Sequence, residues 1–378
     1  MRPPLTPEQL RRLGGLKWTY HDSQPLAAWV AEMDFGIANP VAEALHDAID
    51  RGDTAYAYPA AERAMAGAAT AYWAEYLNWQ VDAARVYAVP DVVEGIERAI
   101  EHLTSPGSSV VLHTPAYFPF FPMVKRAGRD IVEVRSSKDV DGLYRLDLDG
   151  IDRAFSDGAG SIVLCNPWNP TGRVLNGEEL TDLVELAARH GARVIADEIH
   201  SSIIYPPNTH VAAASLDPDT VVTVTSASKA WNLPGLKSAQ VVLTNDDDPG
   251  RWPEYAGAEI GSTLGLFANA AAYRAGRPWL DDVLARLESN RRLLTGLIRA
   301  HMPELGFTTP DGTYLAWLDF TAYGLADPAA FFMEEAGVAL TDGAPFGSGI
   351  EGHVRFNFAT FEPILIEIIE KMAAALAR

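Results

Sequence analysis

The chain has only six lysines among its 30 basic side chains, and one of them, Lys229, stands in "SASKAWNLPGLK" directly after the β-rich run "TVVTVTS". An amine at the carboxyl end of a buried strand, set among hydroxyls and an aromatic ring, is where a Schiff-base lysine is expected. Taken alone, Lys229 also reads as a surface lysine snorkelling to water. Two further strand ends bear on that choice. "SIVLC" runs into Asn166, Pro167, Trp168, Asn169, Pro170, Thr171 and Gly172, and "RVIAD" delivers Asp197, Glu198, Ile199 and His200. A carboxylate there could hold a pyridinium nitrogen protonated, and an asparagine amide could bond a phenolic oxygen and a substrate carboxylate. The structural alternatives are a turn for the Asn-Pro segment and a helix cap for Asp197. With Lys229 beside them, those alternatives become strained.

Such residues need a scaffold that brings strand ends together. From about residue 86 to 245 the runs "RVYAV", "SVVLH", "IVEVR", "SIVLC", "RVIAD", "TVVTVTS" and "AQVVLT" alternate with helix-period segments. This pattern predicts an α/β fold with right-handed βαβ units and a mostly parallel seven-stranded sheet flanked by helices. In open sheets of this kind ligands collect outside the carboxyl ends of the strands. Asp91 is the predicted N-cap of a helix carrying Val92, Val93, Ile96, Ala99 and Ile100, and "GEELTDLVELAARHG" is a second helix ending on Gly191. After about residue 270 the order changes to a long helix, a strand in "GTYLAWLDF", a helix in "DPAAFFMEEAG" and a terminal helix. We therefore expect a large domain over 46–275 and a smaller α+β domain from 276–378 together with 1–45, whose own secondary-structure signal is weak.

Composition narrows the function. The 48% hydrophobic and 21% charged residues suit a globular chain with a sizeable core, and the formal charge of −20 would repel phosphate backbones and anionic lipid. Neither nucleic acid nor a membrane is an expected partner, and no metal site is expected. The N-terminus lacks an apolar core of signal-peptide length, and Cys165 has no second cysteine to pair with. A cytoplasmic protein with a buried structural thiol is expected.

The motifs resemble those of the pyridoxal-phosphate (PLP) enzymes of fold type I, the aspartate aminotransferase superfamily. "NPWNPTG", "ADEIHSSI" and "SASKAWNLPGLK" match that superfamily's asparagine, aspartate and lysine motifs in order, with 28 residues from Asn169 to Asp197 and 32 from Asp197 to Lys229. "HVRFNFAT" is similar to its arginine motif. Within the superfamily the chain is similar to the MalY/PatB group of carbon–sulfur β-lyases. The features are the opening "LKWTYHDSQPLAAWVAEMDF", the aromatic segment "TAYAYP" and "DEIH", where many aminotransferases have tyrosine in place of His200.

The resemblance implies roles by position. Lys229 would hold the cofactor and later move the substrate's Cα proton. Asp197 would pair with the ring nitrogen, Asn169 would bond the 3-oxygen, Tyr117 would stack on the ring, and His200 would lie beside it. Val92 and Val93 would offer backbone N–H groups to the phosphate. Ser226, Ser228 and Lys237 would add hydroxyls and a cation, and Tyr56 would reach in from the second subunit of a homodimer. Arg355 would take the substrate α-carboxylate with help from Asn169, Tyr117 and the backbone of Ala31. Trp29, Trp168 and Trp231 would line the mouth. Two departures stand out: Asp91 replaces a more usual glycine or serine near the phosphate, harmless only as an N-cap pointing away, and Glu32 replaces the usual aspartate at the mouth.

The expected activity is β-elimination from an S-substituted L-cysteine such as cystathionine. Transamination, or decarboxylation-coupled oxidative deamination of a cysteine conjugate in specialised metabolism, is the alternative on the same scaffold. A regulatory protein that binds a transcription factor is a second alternative.

Overall fold

A computed structural model describes residues 3–378 of the chain. The seven β-rich runs form one sheet from β1 (Val86–Val89), β2 (Val110–Thr114), β3 (Ile131–Arg135), β4 (Ser161–Cys165), β5 (Arg193–Asp197), β6 (Val221–Thr225) and β7 (Ala239–Val242). Their spatial order is β1-β7-β6-β5-β4-β2-β3. The pairs from β3 through to β6 are parallel, whereas β7 runs antiparallel to both β6 and β1. Strands β2, β4 and β6 are buried along their whole length, as a sheet covered on both faces requires. The exception at β7 has a local cause. A parallel return needs a crossover that is normally a helix, and between β6 and β7 the chain makes only a short 3-10 turn at Pro234–Leu236. The chain therefore doubles back, and this return carries both Lys229 and Lys237.

Helices α1 (Pro59–Tyr76), α2 (Val92–Leu103), α3 (Gly177–Arg189) and α4 (Thr263–Ala275) pack around this sheet. Helix α2 begins where Asp91 accepts the Glu94 N–H at 2.9 Å, and it buries Ile96, Ala99 and Ile100. Gly95 allows α2 to lie close on the sheet, since a Cβ there would meet Val224 at 2.8 Å. Helix α3 stops before Gly191, whose φ of 63° reverses the chain toward β5.

The remainder is built around α5 (Arg277–His301) and a second sheet. Strands β8 (Gly306–Phe307), β9 (Leu315–Asp319), β10 (Thr341–Asp342) and β11 (His353–Asn357) are antiparallel in the order β8-β9-β11-β10, with α6 (Pro328–Ala336) and α7 (Glu362–Leu376) beside them. The N-terminal residues join this layer through a parallel pairing of Leu26–Ala27 with Val338–Ala339. They are more ordered than their composition suggests. Pro7–Arg12 is a helix closed by a Thr6/Gln9 capping box, and Leu16–Thr19 is a further short turn of helix. Helix Asn39–Asp50 runs across the expected boundary at 45/46 and packs on α4.

Between the two sheets, residues 28–36 form a strap that passes over the cavity described below. Asn357 Nδ2 donates to the carbonyls of Val30 and Glu32 at 2.6 and 2.7 Å. On the other side Asn232 accepts the Met33 N–H and donates to the carbonyls of Met33 and Gly36, at 2.9, 2.9 and 3.1 Å. The strap is anchored by a buried ion pair. Lys17 Nζ donates to Asp34 at 2.9 Å and to the Ala359 carbonyl at 3.2 Å, and Trp18 Nε1 donates to the other Asp34 oxygen at 2.8 Å. The Lys17 and Asp34 side chains are only 2% and 3% exposed, so removing one partner strands the other charge. Lys17→Met should lower the unfolding free energy by about 3–5 kcal/mol, and Lys17→Met with Asp34→Leu should recover part of it. Urea unfolding checks both; an unchanged midpoint in the single variant would show that the pair does not anchor the strap.

Candidate active site

The carboxyl ends of β4, β5 and β6 and the N-terminus of α2 open into one cavity of ≈ 240 Å³. Ala31, Val92, Val93, Tyr117, Asn169, Asp197, His200, Ser226, Ser228, Lys229 and Lys237 all line it, so residues scattered over two hundred positions converge. Arg355 lies against it, reaching Asn169 from β11, and Tyr56 lies elsewhere.

Lys229 stands on the first turn after β6. Its Nζ donates to the Ala31 carbonyl at 3.0 Å, and the Tyr314 hydroxyl donates to the same oxygen, also at 3.0 Å. Burial brings the amine down to about 8, with the Arg355 charge adding to the effect and Glu32 and Asp197 opposing it. Asp197 ends β5, paired in register with Cys165 at the end of β4. One of its oxygens accepts the Ile199 N–H at 3.1 Å, and the other has only the Cys165 thiol, at 3.8 Å. Burial pushes this carboxyl up to about 7 despite those donors and the Lys229 charge. Cys165 is the buried thiol expected, and burial raises its pKa well above the ordinary thiol value.

His200 is held neutral by burial, and its Nδ1 has no hydrogen-bond partner. Ser238 Oγ, 4% exposed by residue and also lining the cavity, is likewise without a partner. The Ser226 hydroxyl donates to the Ser238 carbonyl at 2.7 Å and accepts the Ser228 N–H at 3.0 Å. Buried polar groups left open in this way call for a ligand that completes them. A pyridine ring with a phosphate does so: a protonated ring nitrogen is the cation Asp197 lacks, and the phosphate end would meet Ser238, Lys237 and the α2 terminus. The residues fit PLP.

Arg355 is buried, which lowers its pKa; Tyr117 and Tyr314 oppose the shift. Its Nη1 donates to Asn169 Oδ1 at 3.1 Å, its Nη2 to the Trp29 carbonyl at 3.2 Å and to Thr341 Oγ1 at 3.3 Å, and its Nε has no partner. All of these acceptors are neutral, so an incoming carboxylate would replace them with a charge-assisted pair.

Several expectations need correction. Trp168 and Trp231 do not line the mouth; both are fully buried. Trp168 donates to the Pro115 carbonyl and packs on His113 with ring centroids 4.4 Å apart, and Trp231 donates to the Gly276 carbonyl between Tyr72 and Tyr273. Large rings next to small-residue turns fill the core beneath the loops. Trp29 is half-buried against Tyr20, and the cavity sees only the bond from its carbonyl to Arg355. Tyr56 is 77% exposed and lies over Gly257, outside this chain's cavity. Asp91 is the α2 N-cap through one carboxylate oxygen, and its other oxygen pairs with Lys237 at 2.6 Å. Glu32 is half-buried beside Ala31, and its charge favours the protonated form of Lys229.

Two residues escaped the sequence reading. Tyr314 opens the aliphatic strand β9, and a hydroxyl entering a buried run signals a partner waiting inside. Ser238 follows Lys237 and precedes β7, another strand-end polar group of the kind that marked the rest. Among the described residues no cluster of three or more His, Cys, Asp or Glu could hold a metal, and no helix is long and apolar enough to cross a membrane.

Comparison with known proteins agrees with this geometry. The chain is 37% identical to the cystathionine β-lyase of Corynebacterium glutamicum, over 98% of each chain. It is 32% identical to the cystathionine β-lyase PatB of Bacillus subtilis (strain 168), over 93% of this chain and 92% of that one. A solved structure from Corynebacterium diphtheriae, assigned as a PLP-dependent β-cystathionase, superposes with a TM-score of 0.93 at 36% identity over 100% of both chains. The sequence profile of aminotransferase class I and II matches residues 30–369. The chain belongs to the aminotransferase class I and II family.

Proposed function

We propose that the protein is a PLP-dependent carbon–sulfur β-lyase that splits an S-substituted L-cysteine of the cystathionine type, with water, into a thiol, pyruvate and ammonia. The observation that carries this reading is the convergence of Lys229, Asp197 and Arg355 on one cavity in a chain that aligns end to end with a cystathionine β-lyase.

Asp197 would sit at the ring nitrogen, Asn169 at the 3-oxygen and Tyr117 on the ring face, with His200 offering its free Nδ1. Val92, Val93, Ser226, Ser228 and Lys237 would surround the phosphate, and Lys229 would hold the carbonyl carbon. When bound, PLP supplies the electron sink that lets the Cα–H and Cβ–S bonds of the amino acid break. Lys229, with its pKa brought down to about 8 by burial, would accept the Cα proton more readily than an ordinary, fully protonated lysine could. The Ala31 carbonyl, shared with Tyr314, fixes where Nζ waits. Arg355 would grip the substrate carboxylate with two parallel N–H bonds and so orient the Cα–H bond toward Lys229.

The reading includes a homodimer in the cytoplasm whose sites are completed across the interface. The support for a shared site is Tyr56, a large aromatic side chain left 77% exposed, with its ring over Gly257 and outside its own chain's cavity. If Tyr56 serves the neighbouring site, Tyr56→Ala and Lys229→Ala proteins, each impaired alone, should regain activity when unfolded and refolded together, because mixed dimers contain one intact site. Co-refolding with no gain would place Tyr56 outside the site.

The direct test is an absorbance spectrum with pyruvate and thiol assays on L-cystathionine. The wild type should show a band near about 420 nm and form both products, and Lys229→Ala should lose the band and roughly 10³-fold or more of the rate. Accumulation of pyridoxamine phosphate without pyruvate would overturn the lyase reading in favour of transamination.

A third expectation concerns pH. In cofactor-free protein the Asp197 carboxyl is raised to about 7, above its unfolded value, so its contribution to stability is complete at acid pH and is lost as pH rises through 7. The full span is at most about 4 kcal/mol, from an unfolded pKa of about 3.9. Urea midpoints of the cofactor-free protein should fall between pH 4 and 7, and Asp197→Asn should flatten that slope. Parallel profiles for the two proteins would refute the assignment of the strain to Asp197.

A further inference from the structure

The phosphate end of the cavity is built from donors: the N-terminus of the twelve-residue helix α2, Lys237, and the unpartnered Ser238 hydroxyl. One group there has the wrong sign. Asp91 lines the same cavity, and its two oxygens are committed to this set of donors, one to the Glu94 N–H at 2.9 Å and one to Lys237 Nζ at 2.6 Å. Lys237 stands where the chain turns from Pro234–Leu236 into β7, with a left-handed φ of 46°. A carboxylate therefore already occupies part of the positive potential that an anion would seek.

We propose that Asp91 is a built-in competitor for the cofactor's phosphate: it holds Lys237 when the site is free, must share or surrender that cation when the phosphate arrives, and so makes PLP more weakly held and more exchangeable than the remaining residues would make it. The inference rests on the PLP reading above. A cation between two anions stabilises each less than it would stabilise one alone, and a carboxylate in the first layer around a doubly charged phosphate adds repulsion. In the free site the same carboxylate balances Lys237 and the helix terminus, so the empty cradle is not a cluster of uncompensated positive charge.

The test uses cofactor-free full-length protein and compares two probes, PLP and pyridoxal, which lacks the phosphate. Asp91→Asn keeps a side-chain oxygen for the helix cap and removes the charge. Its Kd for PLP, from titration of the visible band, should be at least about tenfold tighter than that of the wild type, while the Kd for pyridoxal stays within about twofold. Inorganic phosphate should also raise the thermal midpoint of cofactor-free Asp91→Asn more than that of the wild type. Asp91→Ser, another good cap, is the second variant, and circular dichroism reports that each is folded. Equal or weaker PLP binding in both variants would overturn the proposal, as would an equal gain for PLP and pyridoxal, which would place the effect away from the phosphate. Failure of the wild type and both variants to bind either probe would overturn the cofactor reading itself.

Discussion

The feature on which the site depends is a carboxylate buried without a cation. Asp197 stands at the end of a central strand, where parallel neighbours cover it and the nearest donors are one backbone N–H and a distant thiol. Burying such a group is unfavourable, and the cost is visible in a carboxyl raised to about 7. A fold retains that arrangement when something else supplies the missing charge. The same burial acts on its neighbours, holding His200 neutral and bringing the Lys229 amine down to about 8 although the Asp197 charge opposes that shift.

The strap is the second requirement. Lys229 needs a defined waiting position, and the acceptor that defines it is the backbone oxygen of Ala31, far away in sequence. That oxygen stays in place because Asn232, three residues after Lys229, is bonded to Met33 and Gly36, while Asn357, two residues after Arg355, is bonded to Val30 and Glu32. The segments carrying the amine and the guanidinium thus grip opposite sides of the same peptide run. Their separation is set by the backbone between them.

How much of this could be read in advance depended on the kind of signal. The seven strands, the α2 cap at Asp91 and the convergence of Lys229, Asp197 and Asn169 were legible because strand ends of a parallel sheet share one edge, so polar residues at those ends must meet. The antiparallel β7 was not foreseen, since the run "AQVVLT" reads the same in either direction. Trp168 and Trp231 misled because an aromatic beside a functional motif looks like lining until its indole N–H is found bonded to a backbone carbonyl in the core. Asp91 was legible as the α2 cap, whereas its second oxygen's pairing with Lys237 came to light only in the fold. Tyr314 and Ser238 lay outside the quoted motifs, and their signals, a hydroxyl leading into a buried strand and a polar group at a strand end, gained meaning once their partners, or the lack of one, were in view.

The return from β6 to β7 also limits how the chain can vary in length. Its two ends are fixed, since β7 is paired in register on both edges, with β6 and with β1. Slipping β7 by one residue would turn its buried side chains over, so an inserted or deleted residue between Ser226 and Ser238 has nowhere to be absorbed except in the turn that aims Lys229 and Lys237. Helical crossovers elsewhere in the sheet can fray or extend by a residue at their loops. Among homologous chains, length changes should accumulate in those crossovers and be nearly absent from this one, whatever substrate each chain has come to use.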